Sequence, residues 1–245
     1  MKTVKILVEG TRDAALLASV FQICELSLSD VRAKKKDKAS RTLRAWYDYE
    51  FKTEGLVGEY EGKKNSELYR LEVYISGGYT QFENLLNVFE DKDGNGVIPA
   101  VVYDADSSLD TKNSGGNTAR RHLLKKQYDS YSFQRKPTED LSIFLFPNNK
   151  DDGTVETLLE RISAKKKRKA ITICWMGYEY LLRLFHFFKP TEKSKINEYA
   201  SATIGPDVWD YQGQNKALFN RTIWNWHSQE IQPLFGFIEN LISKV

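Results

Sequence analysis

The sequence predicts an α/β protein: a mainly parallel sheet flanked by helices, with a C-terminal helical extension. Three observations carry this expectation. Apolar runs of strand length alternate four times with apolar residues at helical spacing, and repeated β-α units build parallel sheets covered on both faces. Two of the runs end in acidic residues, Glu9 after the first and Asp104 and Asp106 after a later one, at the sheet edge where open α/β folds place their sites. After the basic run at 165–169 the pattern changes to aromatic, helix-spaced sequence.

The first unit joins the strand Val4-Lys5-Ile6-Leu7-Val8 to a helix with Leu17, Phe21 and Cys24 on one face. The second runs from Tyr69 to Ile75, breaks at Gly77-Gly78, and continues with Phe82, Leu85, Leu86 and Phe89 at helical spacing; the glycine pair permits a tight turn. A third has Val97 to Tyr103 as its strand and Thr118 to Tyr128 as its helix. Between them lies a polar loop, Ser107 to Asn117, a candidate substrate-facing element. In the fourth, Leu141 to Phe146 leads through Pro147-Asn148-Asn149 into a helix carrying Val155, Leu158, Leu159 and Ile162.

Residues from about 30 to 67 interrupt the rhythm and read as an insertion with room for a hairpin. Tyr178, Leu181, Leu182 and Phe185 form one apolar stripe further on, and Leu234, Phe237, Ile238 and Leu241 another. The expected organisation is one domain over 1–163, with 164–245 packed on it as a helical extension.

The chain of 245 residues is long enough for an ample core, and its 41% hydrophobic content is ordinary. A net charge of +3 gives no whole-molecule field for nucleic acid, so such a role must rest on local basic runs. Cys24 and Cys174 are too few for a disulfide scaffold and fit buried thiols in a reduced compartment. Strand-like sequence begins almost at once and no apolar run reaches membrane-spanning length, so the expected location is cytoplasmic, with no membrane partner.

Glu9, Asp104 and Asp106 would converge at one sheet edge. Crowded carboxylates raise at least one pKa, and a hard divalent cation with oxygen ligands relieves the repulsion. Magnesium or manganese, as one or two ions, is the expected cofactor. Helix capping and turn chemistry offer a simpler role for single acids. That simpler role suits Asp13 and Glu156, each in the first turn of its expected helix.

Val8-Glu9-Gly10, Gly77-Gly78 and Asp104-Ala105-Asp106, in that order, resemble a TOPRIM domain, the Rossmann-like module of topoisomerases, primases and several nucleases. Phe144-Leu145-Phe146-Pro147-Asn148-Asn149, with Gly153 and Glu156, resembles more narrowly an uncharacterised bacterial TOPRIM-like family related to the overcoming-lysogenization-defect nucleases. The resemblance covers residues 1 to 163. It implies Glu9 as metal ligand or general acid/base, Asp104 and Asp106 as metal ligands, and Asp13 and Glu156 as acids holding a second metal. It further implies a lysine, for which Lys193 and Lys195 are candidates, and that any ATPase partner would be a separate protein. The tyrosine-bearing domain of topoisomerases and the template-binding domains of primases have no counterpart in this sequence.

Other motifs are less specific. Asp91-Lys92-Asp93-Gly94-Asn95-Gly96 resembles the front of a calcium loop, but its twelfth position is Val102 rather than a bidentate glutamate, so a polar turn is expected. Lys34, Lys35, Lys36, Arg41 and Arg44, near Trp46, Tyr47 and Tyr49, could follow a phosphate backbone and stack bases, or form a solvated loop. His122, His186 and His227 lack metal-ligand spacing, and Trp209, Trp224 and Trp226 are expected to pack.

The function these readings favour is divalent-metal-dependent phosphodiester hydrolysis on nucleic acid, with Glu9 handling protons and Gly10 and Gly77-Gly78 allowing close backbone approach. Two alternatives stay open: a catalytically silent metal- or nucleotide-binding regulatory or interaction module, and a small-nucleotide phosphohydrolase.

Overall fold

A computed structural model describes residues 1–24, 29–30, 55–110, 112, 114–163 and 223–245, with positions 173, 176, 177, 180, 181, 184, 191, 195, 196 and 199. Its centre is the first apolar run, which forms β1 (Thr3–Val8). β1 lies between two parallel neighbours. The other strands are β2 (Ser29–Asp30), β3 (Gly55–Lys64), β4 (Glu67–Ile75), β5 (Val97–Asp104) and β6 (Ser142–Phe146). The six-stranded sheet has the order β2-β3-β4-β1-β5-β6. β4, β1, β5 and β6 run parallel, while β3 is antiparallel to both β4 and β2.

The sheet is covered on both faces because its inner strands are apolar on both. Val4, Ile6 and Val8 point to one face, with Leu71, Val73, Ile98, Ala100, Phe144 and Phe146. Three helices cover them: α1 (Thr11–Ile23), α3 (Val155–Ile162) and α4 (Gln232–Ser243). Leu7, Val101, Tyr103 and Leu145 point to the other face, under Leu124 and Tyr128 of α2 (Asn117–Ser130). Phe82, Leu86 and Phe89 fill the rest of that layer.

α4 shows why the chain's last segment belongs to this core. Leu234, Ile238, Leu241 and Ile242 form one buried stripe, and each such side chain contributes roughly 1.5–3 kcal/mol by leaving water. Pro233 stands at the helix start, where its missing N–H costs nothing. At the other end Lys64 Nζ donates to the carbonyls of Ile242 and Ser243, and Lys2 Nζ to that of Lys244. Two lysines therefore occupy the negative end of the helix dipole.

One expectation changes, and the hairpin allowed for in the insertion is found. Phe82 to Phe89 winds not as an α-helix but as 3-10 turns at Tyr79–Gln81 and Glu83–Phe89. The apolar spacing remains, but the tighter winding advances about 2.0 Å per residue against about 1.5 Å, which lets a short segment cover the sheet. Within the stretch read as an insertion, Gly55–Lys64 is an integral strand, joined to β4 through Asn65 and Ser66 at φ 50° and 71°. Positive φ at both turn residues matches the twist of a two-residue hairpin.

Candidate functional site

The C-terminal ends of β1 and β5 bring the acids together. Glu9 follows β1, and its Oε2 accepts the Asp104 N–H at 3.4 Å. Asp104 ends β5, and its Oδ1 accepts the Val155 N–H of α3 at 2.8 Å. That bond sets the carboxylate on the positive end of a helix. Asp106 has a left-handed backbone, φ 59°, and exchanges two backbone hydrogen bonds with Gly153 at 2.8 and 2.9 Å. A non-glycine residue held there is strained, a state that concentrates at functional sites.

Asp13 and Glu156 complete the cluster. Asp13 is 4% exposed, and its Oδ2 accepts the Gly10 N–H at 2.8 Å, half of a capping box. The capping role is therefore real for Asp13, and burial among other acids comes in addition to it. Glu156 pairs with Arg12 at 2.6 Å, both side chains nearly buried. Asp106 pairs with the fully buried Arg120 at 2.5 Å.

Electrostatics tie the five carboxylates into one group. Burial, then the Glu9 charge, pushes Asp13 up to about 8. Asp104 is driven well above the ordinary aspartate range by burial, then by Asp13, Glu9 and Glu156. Glu9 is raised by burial and Asp106, against the opposing pull of Arg120. Asp106 is raised by burial despite Arg120. Five acids thus face two guanidinium groups, Arg12 and Arg120.

In donor type alone, carboxylate oxygens from several elements, the set is of the kind that suits a hard divalent cation. Among the described residues, no three acidic, histidine or cysteine side chains gather closely enough to enclose one ion. The arginine pairs of Asp106 and Glu156 supply a physical reason, since each holds a carboxylate to a protein partner.

The loop after Asp106 is closed rather than open. Gly116 N–H reaches the Ala105 carbonyl at 2.7 Å, and Asp152 accepts the N–H groups of Asn117 and Ser108 at 2.7 and 3.2 Å. A Cβ at Gly115 would lie 2.2 Å from the Ser107 carbonyl oxygen, so only glycine fits. Across the sheet edge, Gly77 and Gly78 have φ of 79° and 129°, and the Gly77 N–H donates to the Glu9 carbonyl at 3.1 Å. Gly10 is less constrained: an added Cβ would make only an ordinary 3.8 Å contact with Asp13.

The chain belongs to the DUF3226 family. The family model, whose description is a protein of unknown function, matches residues 3–243, and so spans both the sheet and α4. No curated protein and no solved structure matches the chain.

Other candidates in this DUF3226 chain fall elsewhere. Lys34, Lys35, Lys36, Arg41, Arg44, Lys193, His186 and Trp209 lie outside the described residues. Lys195 is partly buried on a helical turn, and His122 and His227 are exposed. Asp91 turns its carboxylate onto the N–H groups of Asn95 and Gly96, both at 3.1 Å, which makes the calcium-like segment a polar turn. Trp224 and Trp226 are buried in the core.

Sequence reasoning missed Arg12, Arg120 and Tyr79. Arg12 lies one residue before Asp13, and a cation inside an acidic cluster was its available signal. Arg120 sits in Arg120-Arg121, ahead of Lys125 and Lys126, and resembles a solvated basic face. Its burial under Tyr79 is a tertiary fact.

Proposed function

We propose that this chain is a divalent-metal-dependent phosphodiesterase acting on nucleic acid, built on a TOPRIM-like arrangement. The observation that carries the reading is the cluster of Glu9, Asp13, Asp104, Asp106 and Glu156 at one sheet edge, linked by mutual repulsion and short of positive charge. Glu9, Asp104 and Asp106 would hold magnesium or manganese, with Asp13 and Glu156 beside a second ion. Bound there, the metal supplies charge neutralisation at the phosphoryl group and an acidified water.

The chain's own groups divide the remaining work. Glu9, its pKa raised by burial and then by Asp106, takes or returns a proton at its carboxylate. The Asp104 N–H orients that carboxylate, and the Val155 N–H fixes Asp104 in turn. Arg12 holds the Glu156 carboxylate in place at 2.6 Å in a nearly dry position. Lys34, Lys35, Lys36, Arg41 and Arg44 are the proposed phosphate-backbone contacts.

A regulatory module without turnover is the second reading. The arginine partners already holding Asp106 and Glu156 favour it. The two readings separate when the purified chain and Asp104→Ala are incubated with single- and double-stranded DNA and RNA in manganese or magnesium, with a chelator control. Metal-dependent cleavage by the wild type alone supports hydrolysis. Cleavage that persists in Asp104→Ala removes the mechanism, and metal binding without cleavage of any substrate leaves the regulatory module.

A further inference from the structure

Arg120 heads the largest fully buried side chains among the described residues, and it is charged. Its guanidinium is only partly used. Nη2 donates to Asp106, one face lies 3.5 Å from the centre of the Tyr79 ring, and Nε and Nη1 have no acceptor. Asn117, three residues earlier and therefore on the same helix face, is also buried with Nδ2 unpartnered.

Buried donors without acceptors are rare, and each costs on the order of 1–3 kcal/mol, more when it carries charge. Here three such atoms occupy the first turn of α2, beside an acid of the candidate metal cluster. A guanidinium and an amide without acceptors on that turn select acceptor oxygens, and arginine favours the oxygens of a phosphate group.

Building on the hydrolase reading, we propose that Arg120 and Asn117 hold non-bridging phosphate oxygens of the substrate next to the acid cluster. The phosphate group is then gripped by protein donors on one side while the acids keep the metal on the other. Tyr79 covers one face of the guanidinium. It is half-buried and follows Gly77 and Gly78, both at positive φ, and its ring swings aside when phosphate enters.

The test is calorimetric titration of inorganic phosphate, in magnesium at fixed pH, into wild type, Arg120→Gln, Arg120→Lys and Asn117→Ala. Magnesium affinity and melting temperature are recorded for each. Arg120→Gln should lose about tenfold or more in phosphate affinity, Arg120→Lys about threefold or more, and Asn117→Ala about threefold. Magnesium affinity should be kept or tightened in Arg120→Gln, because Asp106 loses a competing partner. If Arg120→Gln does not fold, Arg120→Lys, which keeps the charge beside Asp106, decides with Asn117→Ala.

No phosphate binding by the wild type overturns the inference. So does an affinity within about twofold of wild type in both Arg120→Lys and Asn117→Ala. A chain that binds phosphate through Arg120 but cleaves nothing refutes the hydrolase reading alone. One that cleaves with KM and kcat unchanged in Arg120→Lys refutes the role of Arg120 alone.

Discussion

Replacing Asp13 with asparagine should stabilise the metal-free protein, and the gain should grow with pH. Asp13 is buried, and its carboxylate accepts the Gly10 N–H. An asparagine oxygen can accept the same bond, so the change removes a charge while keeping the shape. In the folded chain the carboxyl keeps its proton until about pH 8, whereas its ordinary value is 3.8. Between those values the folded state holds a proton that the unfolded state has lost, so stability falls as pH rises. The contribution is fully present below the unfolded value and gone above the folded one.

At about 1.4 kcal/mol per tenfold in proton concentration, that interval bounds the effect at roughly 5–6 kcal/mol. Glu9 and Asp104 share the repulsion and titrate with Asp13, which lowers the expected gain at pH 8 to about 1–3 kcal/mol. For a chain of this size the melting temperature should rise by about 3–8 °C. Thermal unfolding of wild type and Asp13→Asn in chelator, at pH 4, 6 and 8, is the assay. A gain near zero at pH 4 that widens toward pH 8 fits the electrostatic account. A variant that only matches wild type at pH 8, or that gains equally at every pH, would refute it.

Other parts of the structure give sharper mutational tests. Arg12→Met leaves Glu156 buried without its partner and should cost about 2–4 kcal/mol in denaturant unfolding, with most of the loss recovered in Arg12→Met/Glu156→Gln. Gly115→Ala forces a Cβ against the Ser107 carbonyl; it should destabilise by about 2–4 kcal/mol, and an unchanged melting temperature would contradict the closed-loop geometry. Ile238→Ala on α4 removes a fully buried side chain and should cost about 2–4 kcal/mol by the same assay; a neutral result would mean that the helix does not complete the core.

The parallel strands were legible in the sequence because burial on both faces demands continuous apolar runs, as in Val4 to Val8 and Val97 to Tyr103. α4 was legible from the spacing of Leu234, Ile238 and Leu241. β3 was not. Gly-Leu-Val-Gly-Glu-Tyr-Glu-Gly-Lys-Lys alternates charges and glycines, and among its described side chains the buried large apolar anchor is Tyr60. It is a strand because β4 offers it a partner in register, which no local pattern reveals.

The acids of the candidate site could be read because strand ends place them. What restrains them could not. Arg120 shares its sequence neighbourhood with solvent-facing lysines, and only the Tyr79 turn, from another unit, closes over it. The pairing of Glu156 with Arg12 likewise joins residues 144 positions apart. Charge balance in this cluster is a property of the folded chain.

Calorimetric titration of manganese into the metal-free chain at pH 8, beside Asp104→Ala, tests the central claim most directly. The account predicts saturable binding of one or two ions by wild type, accompanied by proton release as the raised carboxyls ionise, and loss of that binding in Asp104→Ala. No saturable binding by wild type, or equal binding by both proteins, would contradict a metal site at the ends of β1 and β5.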